Sequence, residues 1–282
     1  MDKIDNNVIG SQVSKDLVKA LTQNIFYKYA SFEVATEYII KDNTLKFSNP
    51  KNFNDPFDCH ERLISISNLT NEELEEIFFS SDNINNHPNK DFIQKNKKKI
   101  IQKVTNRQEI KSLWRKQFEH YRVCCFSKMP QNILMWSHYA DCHKGIVIGF
   151  NFPILHDKFV VYPVTYADKI LPIDGYTDVL KVLYYWVTTK SHHWAYEEEF
   201  RAINKDGTEY LSFDKEWIKE IIFGCKVSDK KIIKTISIMR KLKYKNFIVK
   251  KMVIDEDTFS LKETVVADIQ NFKNKIINVS KF

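Results

Sequence analysis

Residues 190–201 read Lys-Ser-His-His-Trp-Ala-Tyr-Glu-Glu-Glu-Phe-Arg, the most informative charge pattern in the chain. If the end of this stretch is extended, Glu197, Glu199 and Arg201 lie on one face, because side chains alternate along a strand. Phe200 then lies on the other face, which predicts a strand attached to a hydrophobic core. Two carboxylates and a guanidinium are costly to bury unless they pair. The row is therefore either solvent-exposed or a functional site, and we favour the site.

Apolar patterns on both sides of this stretch predict an α+β fold. Strands are expected at residues 25–29, 45–48, 122–127, 146–150, 159–166, 198–203, 217–223, 247–254 and 259–266. Helices are expected at residues 31–41, 70–79, 91–121 with a break near residue 105, 131–139, 176–190 and 229–242. We expect a mixed, mostly antiparallel sheet. The predicted organisation is an N-terminal arm at residues 1–24 and one domain at 25–282, with a helical insertion at about 68–121 and a basic helix with a terminal strand pair at about 226–282.

The net charge of 43 − 36 = +7 is unevenly distributed. Residues 226–251 contain ten Lys or Arg and one acidic residue, and residues 90–107 contain seven and one. The rest of the chain therefore sums to 7 − 9 − 6 = −8. Clustered positive charge of this kind can attract a nucleic acid, or it can form solvated helix faces.

The cysteine and glycine content excludes several classes of protein. Five cysteines without a Cys-x-x-Cys pair argue against a disulfide scaffold or a zinc knuckle, and we expect no metal site. Six glycines leave little room for a glycine-rich phosphate loop. The N-terminus has no apolar signal region, and no apolar run is long enough to span a bilayer. We expect a cytoplasmic protein without membrane contact.

A second candidate segment is Phe-Asn-Asp-Pro-Phe-Asp at residues 53–58. Proline restricts the backbone, the aromatic rings can anchor the loop, and Asn and Asp side chains commonly bind backbone amides in turns. The segment is either a structural turn or a rigid loop that presents Asp55 or Asp58 into a cleft, with Asn54 beside them.

A third candidate segment, Met-Trp-Ser-His-Tyr-Ala-Asp at residues 135–141, is unusually polar and aromatic for a core helix. His138 is a candidate general base or hydrogen-bonding partner for a substrate, and a structural histidine is the alternative. Ser137 and His138 are sequence neighbours without a G-x-S-x-G elbow, so they do not indicate a catalytic triad.

These segments, in this order, resemble a bacterial family designated domain of unknown function 2971. The resemblance covers about residues 25–225. It rests on Tyr27-Lys28-Tyr29, Phe53-Asn54-Asp55-Pro56-Phe57-Asp58, Cys125-Phe126-Ser127, Met135-Trp136-Ser137-His138-Tyr139-Ala140, Lys144-Gly145, Trp194, Tyr196, Glu197, Glu199, Phe200, Arg201 and Ile222-Phe223-Gly224. Such proteins occur as accessory genes associated with phage-resistance loci, so the resemblance implies a defence or toxin-type role.

A more distant resemblance, to ADP-ribosyltransferases, rests on the order of Tyr27-Lys28-Tyr29, Ser137-His138-Tyr139 and Glu197-Glu198-Glu199. It implies an ADP-ribosyltransferase-like fold that uses NAD as a substrate and modifies a nucleic acid or a protein. Glu199 would then be the catalytic carboxylate, since a carboxylate stabilises an oxocarbenium-like state, and Glu197 would orient the acceptor. The residues assigned to NAD are Tyr27, Lys28, Tyr29, Ser137, His138, Tyr139 and Arg201. The sequence departs from that class in having no recognisable nucleotide-binding loop.

Two alternatives use the same residues differently. Asp55, Asp58, Glu197 and Glu199 could bind magnesium in a nuclease, with Lys190 on the phosphate. Trp194 is a further candidate site residue. The spacing Glu-x-Glu-x-Arg, however, lacks the lysine that usually follows the acid by two residues in such nucleases. The other alternative is a non-catalytic sensor or binding module, in which these motifs only stabilise the fold. We favour the transferase.

Overall fold

The computed structural model describes residues 6–79, 89–176 and 178–269. Its strands are β1 (Phe26–Ala30), β2 (Thr44–Lys46), β3 (Ile64–Ser65), β4 (Arg122–Ser127), β5 (Ile146–Phe150), β6 (Val160–Pro163), β7 (Thr165–Ala167), β8 (Ile173–Asp174), β9 (Thr189–Ser191), β10 (Glu199–Asn204), β11 (Tyr210–Ser212), β12 (Ile218–Phe223), β13 (Phe247–Ile254) and β14 (Leu261–Ile269). Eight of them form one sheet in the order β14-β13-β12-β5-β1-β4-β10-β6. In this sheet β12 and β13 run parallel, and the other neighbouring strands run antiparallel. The predicted mixed, mostly antiparallel α+β class is confirmed.

Helices flank the sheet and form most of the segment between β3 and β4. They are α1 (Asn6–Thr22), α2 (Asn71–Phe79), α3 (Lys90–Thr105), α4 (Arg107–His120), α5 (Ile133–Tyr139), α6 (Val179–Thr188), α7 (Asp229–Lys241), a π-helix (Val34–Lys41) and the 3-10 helices Pro50–Asn52, Glu61–Leu63, His192–Glu197 and Lys215–Trp217. The predicted break near residue 105 is present, because the Asn106 side chain accepts from the amides of Gln108 and Glu109 and so caps α4. No helix in the described ranges is long and apolar enough to cross a membrane.

The first helix is docked on the domain, whereas the sequence suggested an arm. Ile9 and Ala20 of α1 are buried, and α1 contacts both β6 and α6. Tyr184 of α6 donates a hydrogen bond to the buried carboxylate of Asp16. Because apolar residues recur at helical spacing, one stripe of an otherwise polar helix is buried against the domain.

The two faces of the sheet have different roles. On one face, alternate residues such as Phe26, Phe126, Phe150 and Phe200 form the largest hydrophobic cluster, which is covered by α7 and the π-helix. The opposite face has two smaller clusters, one with the helices α3, α4 and α6 and one with α5. Charged side chains occupy this second face between the two clusters, so the candidate site lies on this side.

The sheet opens between the neighbouring strands β1 and β4. Within the described chain, β1 pairs with β4 at a single position, Tyr27 with Ser127. Beyond that point the Lys28 ammonium donates to the carbonyl of Cys125 at 2.9 Å, where a backbone amide would otherwise lie. Ser48 instead pairs with Val123 farther along β4. The opening gives access to Glu199 on β10 and to Glu197 just before it.

Candidate functional site

A cavity of about 430 Å³ lies at this opening, within the size range of small-molecule sites. Its walls come from β1, β4, α5 and the loop before Asp58. The lining residues are Tyr27, Lys28, Tyr29, Lys46, Ser48, Asn52, Phe53, Asn54, Asp58, Val123, Cys125, Phe126, Ser127, Met135, His138, Tyr139, Lys190, Glu197 and Glu199. Segments far apart in the sequence therefore meet in one place.

The geometry of the segment before β10 differs from the expected extended strand. Glu197 ends the 3-10 helix that Ser191 caps, and Glu198 has a left-handed backbone with φ 42°. A left-handed glutamate is unfavourable and is retained only where the surroundings fix it. Here the Ser127 hydroxyl donates to the Glu197 carbonyl at 2.7 Å. As a result, the carboxylates of Glu197 and Glu199 still converge, although only Glu199 belongs to the strand.

Lys190 on β9 is the point on which three carboxylates converge. Its ammonium nitrogen lies 2.5 Å from Glu197 Oε2, 3.0 Å from Glu199 Oε2 and 3.6 Å from Asp58 Oδ2. The side chains of all four residues are at least 95% buried. The Trp194 ring packs 5.1 Å from the ammonium, which adds a cation–π contact.

Arg201 neutralises the same cluster from behind. Its guanidinium binds Asp58 through two bonds of 2.9 and 2.5 Å and Glu199 through two bonds of 2.8 and 3.1 Å. A further donor reaches the Val187 carbonyl at 2.7 Å. Arg201 is fully buried and does not line the cavity. Its position indicates that it orients the carboxylates and does not contact a ligand in the cavity.

The two glutamates differ in their acidity. Burial, together with the charge of Glu199, raises the pKa of Glu197. Burial also acts to raise the pKa of Glu199, but Arg201 and Lys190 outweigh it and hold that pKa well below its usual range. Environments that separate the pKa values of two neighbouring carboxyls are typical of acid–base sites and also occur in structural ion-pair networks.

We expect this difference to affect the pH dependence of stability. Folding lowers the pKa of Glu199, so at pH values below the ordinary glutamate pKa the unfolded chain binds more protons than the folded chain. The free energy of unfolding therefore decreases as the pH falls through that range. The raised pKa of Glu197 has the opposite effect. Its contribution to stability is present at pH values below the ordinary glutamate pKa and is lost as the pH rises through the raised pKa of the folded protein. Urea unfolding between about pH 3 and 7 should show a steeper acid decline for wild type than for Glu199→Gln. Equal acid slopes would contradict the charged role of Glu199.

The cavity brings together most of the residues predicted from the sequence. Tyr139 donates to Glu197 Oε1 at 2.7 Å, and Asn54 donates to the Tyr139 hydroxyl at 3.3 Å. Burial and the Glu197 charge raise the pKa of Tyr139, so its hydroxyl remains a donor. The Tyr29 hydroxyl donates to the Met129 carbonyl at 2.8 Å.

Four predicted residues do not line the cavity. Arg201 and Trp194 contact its charged cluster from outside, so the prediction that Arg201 binds NAD is not supported. The Ser137 hydroxyl donates to Ile133 within α5 and lies 3.0 Å from His143 Nε2. Asp55 lines a neighbouring cavity, where its Oδ1 accepts from the Phe57 amide. The resemblance predicts Ser137 and the loop pattern predicts Asp55, but neither determines the direction of a side chain.

Two supporting residues could not be found by sequence reasoning. Ser127 fixes the backbone of Glu197, and the Tyr166 hydroxyl accepts from the Glu199 amide at 2.9 Å. Each acts on the backbone of a residue far away in the sequence, and neither position indicates that role, although Ser127 ends the Cys125-Phe126-Ser127 motif of the resemblance. For Tyr166, the only signal is its place in a predicted strand.

Two cations, Lys190 and Arg201, already pair with the three carboxylates at the site. In residues 6–79, 89–176 and 178–269, no group of three or more His, Cys, Asp or Glu side chains is placed to hold a metal ion. The oxygens of Asp58, Glu197 and Glu199 instead face Lys190 and Arg201.

Comparisons with known proteins connect the site to one family. The model of the family described as "Protein of unknown function (DUF2971)" matches residues 135–202. No curated protein and no solved structure matches the chain. The matched segment contains α5, Lys190, Glu197, Glu199 and Arg201, and is therefore the part that supplies the cavity with its helix and its charged cluster. Over residues 135–202 the chain is similar to this family of unknown function.

Proposed function

We propose that the protein is an NAD-dependent ADP-ribosyltransferase and that the cavity at the sheet opening holds the reacting end of NAD. The observation that carries the proposal is the combination in one cavity of aromatic rings, two buried glutamates and Lys28, which forms no ion pair with the residues that the structure describes. The aromatic rings suit the flat nicotinamide ring, and the lysine suits a phosphate. The glutamates suit the ribose, which becomes positively charged as it reacts.

Lys28 is the component suited to an anion. Its ammonium donates to the Cys125 carbonyl at 2.9 Å and also interacts with the Cys124 thiol, so it retains a proton for a further acceptor. Within the described part of the chain Lys28 forms no ion pair, although Glu199 is close enough to influence its charge. A phosphate oxygen at the cavity would complete its coordination.

The reaction requires a carboxylate beside the ribose. The bond between ribose C1′ and the nicotinamide nitrogen breaks, the electron pair neutralises the ring nitrogen, and an oxocarbenium-like centre forms. An acceptor oxygen or nitrogen then bonds to C1′ and releases its proton to a base. Of the two glutamates, Glu197 is held by Lys190 and Tyr139 and has the raised pKa, so it suits the base role as well as charge stabilisation. The assignment of Glu199 as the catalytic carboxylate stays a prediction, which the paired variants below test.

Direct binding of NAD is the first test. Titration calorimetry with wild type should show saturable binding, and Lys28→Met should weaken it by about tenfold or more because a charged contact is lost. Lys41→Met is the matched control, since Lys41 pairs with Glu37 on an exposed helix. Labelled NAD then reports ADP-ribose transfer to nucleic acid or protein in a lysate. Binding without turnover would support the binding module instead, and absence of binding would contradict the proposal.

A defence or toxin-type role belongs to the same proposal. Induced expression in bacteria should slow growth for wild type, and Glu197→Gln should relieve it at equal protein level. Equal growth inhibition by both proteins would show that any toxicity is independent of the proposed chemistry.

A further inference from the structure

A second cavity, about 560 Å³ in volume, lies between α4 and the short helix Glu61–Leu63 and is rich in cations. Arg107, Lys111 and Arg115 follow each other at four-residue spacing and so form one stripe of α4 that faces Arg62. Glu61 is the one carboxylate among the lining residues of this cavity, and it pairs with Arg115 at 2.9 Å. We call the cavity lined by these five residues the arginine groove.

The groove has cations available for a ligand. Arg62, Arg107 and Lys111 are exposed, and within residues 6–79, 89–176 and 178–269 none of them takes part in an ion pair. Four cations against one carboxylate give the lining an excess of three positive charges. Three of the four are arginines, whose planar guanidinium groups bind phosphate through two parallel hydrogen bonds.

The floor of the groove is apolar. It consists of Ile64, Ile66, Trp114, Phe118, Ile170 and Pro172. A cationic rim above an apolar floor fits a ligand that has anionic groups along one edge and flat, weakly polar groups along the other. A single-stranded nucleic acid has this arrangement, whereas a duplex keeps its bases stacked inside.

The groove lies close to the candidate active site. An intervening cavity of about 350 Å³ shares Glu61, Arg115 and Phe118 with the groove, and it shares Phe53 and Asp58 with the cavity at the sheet opening. The three cavities therefore lie next to one another along the loop at residues 49–61.

Asp55 is buried beside the intervening cavity, and its Oδ2 has no hydrogen-bond partner in the described part of the chain. An unpartnered buried carboxylate oxygen is costly.

From these observations we infer that the arginine groove binds a single-stranded nucleic acid and leads it toward the cavity at the sheet opening. Its binding does not depend on the proposed transferase activity, but its role as the acceptor of ADP-ribose rests on that proposal. The site differs from the two basic stretches of the sequence, since Arg107 is the one lining cation that lies in either of them.

Fluorescence anisotropy with labelled oligonucleotides of about 12 nucleotides, one RNA and one DNA, tests the groove without NAD. We expect binding of at least one of them, and the two oligonucleotides show which sugar is preferred. The double variant Arg62→Glu/Arg107→Glu should bind at least tenfold more weakly, and the slope of log affinity against log salt should become smaller by about 1.4 for two lost phosphate contacts.

The matched control changes the same amount of charge on α7. Lys230→Glu/Lys234→Glu lies in the basic stretch 226–251 and should leave affinity within twofold of wild type. An equal loss in both double variants, or no binding by wild type, overturns the inference, as does binding of an acidic peptide in place of both oligonucleotides. Oligonucleotide binding without NAD turnover would leave the groove standing and remove the proposed function. NAD turnover without oligonucleotide binding would support the proposed function and contradict nucleic-acid binding at the groove.

Discussion

Replacing Arg201 with alanine should destabilise the protein by about 3–5 kcal/mol, enough to unfold a large share of it at physiological temperature. The side chain is fully buried and makes four hydrogen bonds to Asp58 and Glu199. Its removal leaves two buried carboxylates, Asp58 and Glu199, with the Lys190 ammonium as the cation that contacts both. It also leaves the Val187 carbonyl without its guanidinium partner.

Urea unfolding, followed by tryptophan fluorescence, measures this effect. Arg201→Lys should recover part of the loss, because one ammonium restores charge but cannot bind both carboxylates in the bidentate manner. Lys41→Ala serves as the control: its pair with Glu37 is exposed, and the midpoint should hardly move. If Arg201→Ala unfolds at the wild-type urea midpoint, the ion pairs of Arg201 with Asp58 and Glu199 do not stabilise the fold.

The sheet and most helices could be predicted because each follows a local pattern. The alternation around Phe200, the aromatic run at β1 and the apolar runs at β4 and β5 indicate strands that are buried on at least one face. The break at Asn106 follows from a cap residue. By contrast, the docking of α1 depends on Tyr184, more than 160 residues away, and no local signal carries that contact.

The site was predictable in composition but not in geometry. Tyr139, Lys190, Glu197 and Glu199 were all candidates, and they are all found in one cavity. The expected extended backbone at Glu197 was wrong, because a left-handed Glu198 turns the chain before β10. The Ser127 hydroxyl supports that turn by donating to the Glu197 carbonyl. A contact between residues so far apart in the sequence cannot be predicted from the three consecutive glutamates alone.

The opening between β1 and β4 was not foreseeable either. A strand pattern specifies which side chains share a face, but it does not specify where two strands separate. Lys28 alternates with Tyr27 and Tyr29, so the pattern alone directs it toward the core face. Its long side chain instead occupies the opening and ends at the Cys125 carbonyl. An anion-binding candidate therefore results from a break in the ladder and not from the pattern of residues.

Changing each glutamate of the pair to glutamine should separate chemistry from structure. For Glu197→Gln we expect a loss of about 10²–10³-fold in ADP-ribose transfer, because the charge beside the ribose is removed. The free energy of unfolding should change by less than about 1 kcal/mol. The amide oxygen can still accept from Lys190 and the amide nitrogen can donate to Tyr139, while Lys190 keeps Glu199 and Asp58 as counter-charges.

Glu199→Gln should show the opposite balance. The change removes a negative charge that Lys190 and Arg201 share, so the free energy of unfolding should fall by about 3 kcal/mol. Much of any loss of activity should then result from the loss of folded protein. Activity normalised to folded protein, measured by urea midpoint and labelled NAD on the same samples, distinguishes the two variants. A stable Glu199→Gln without activity, beside an active Glu197→Gln, would assign the catalytic carboxylate to Glu199. Full activity in both would remove this pair of glutamates from the chemistry, because a charge that stabilises the reacting ribose cannot be neutralised without cost.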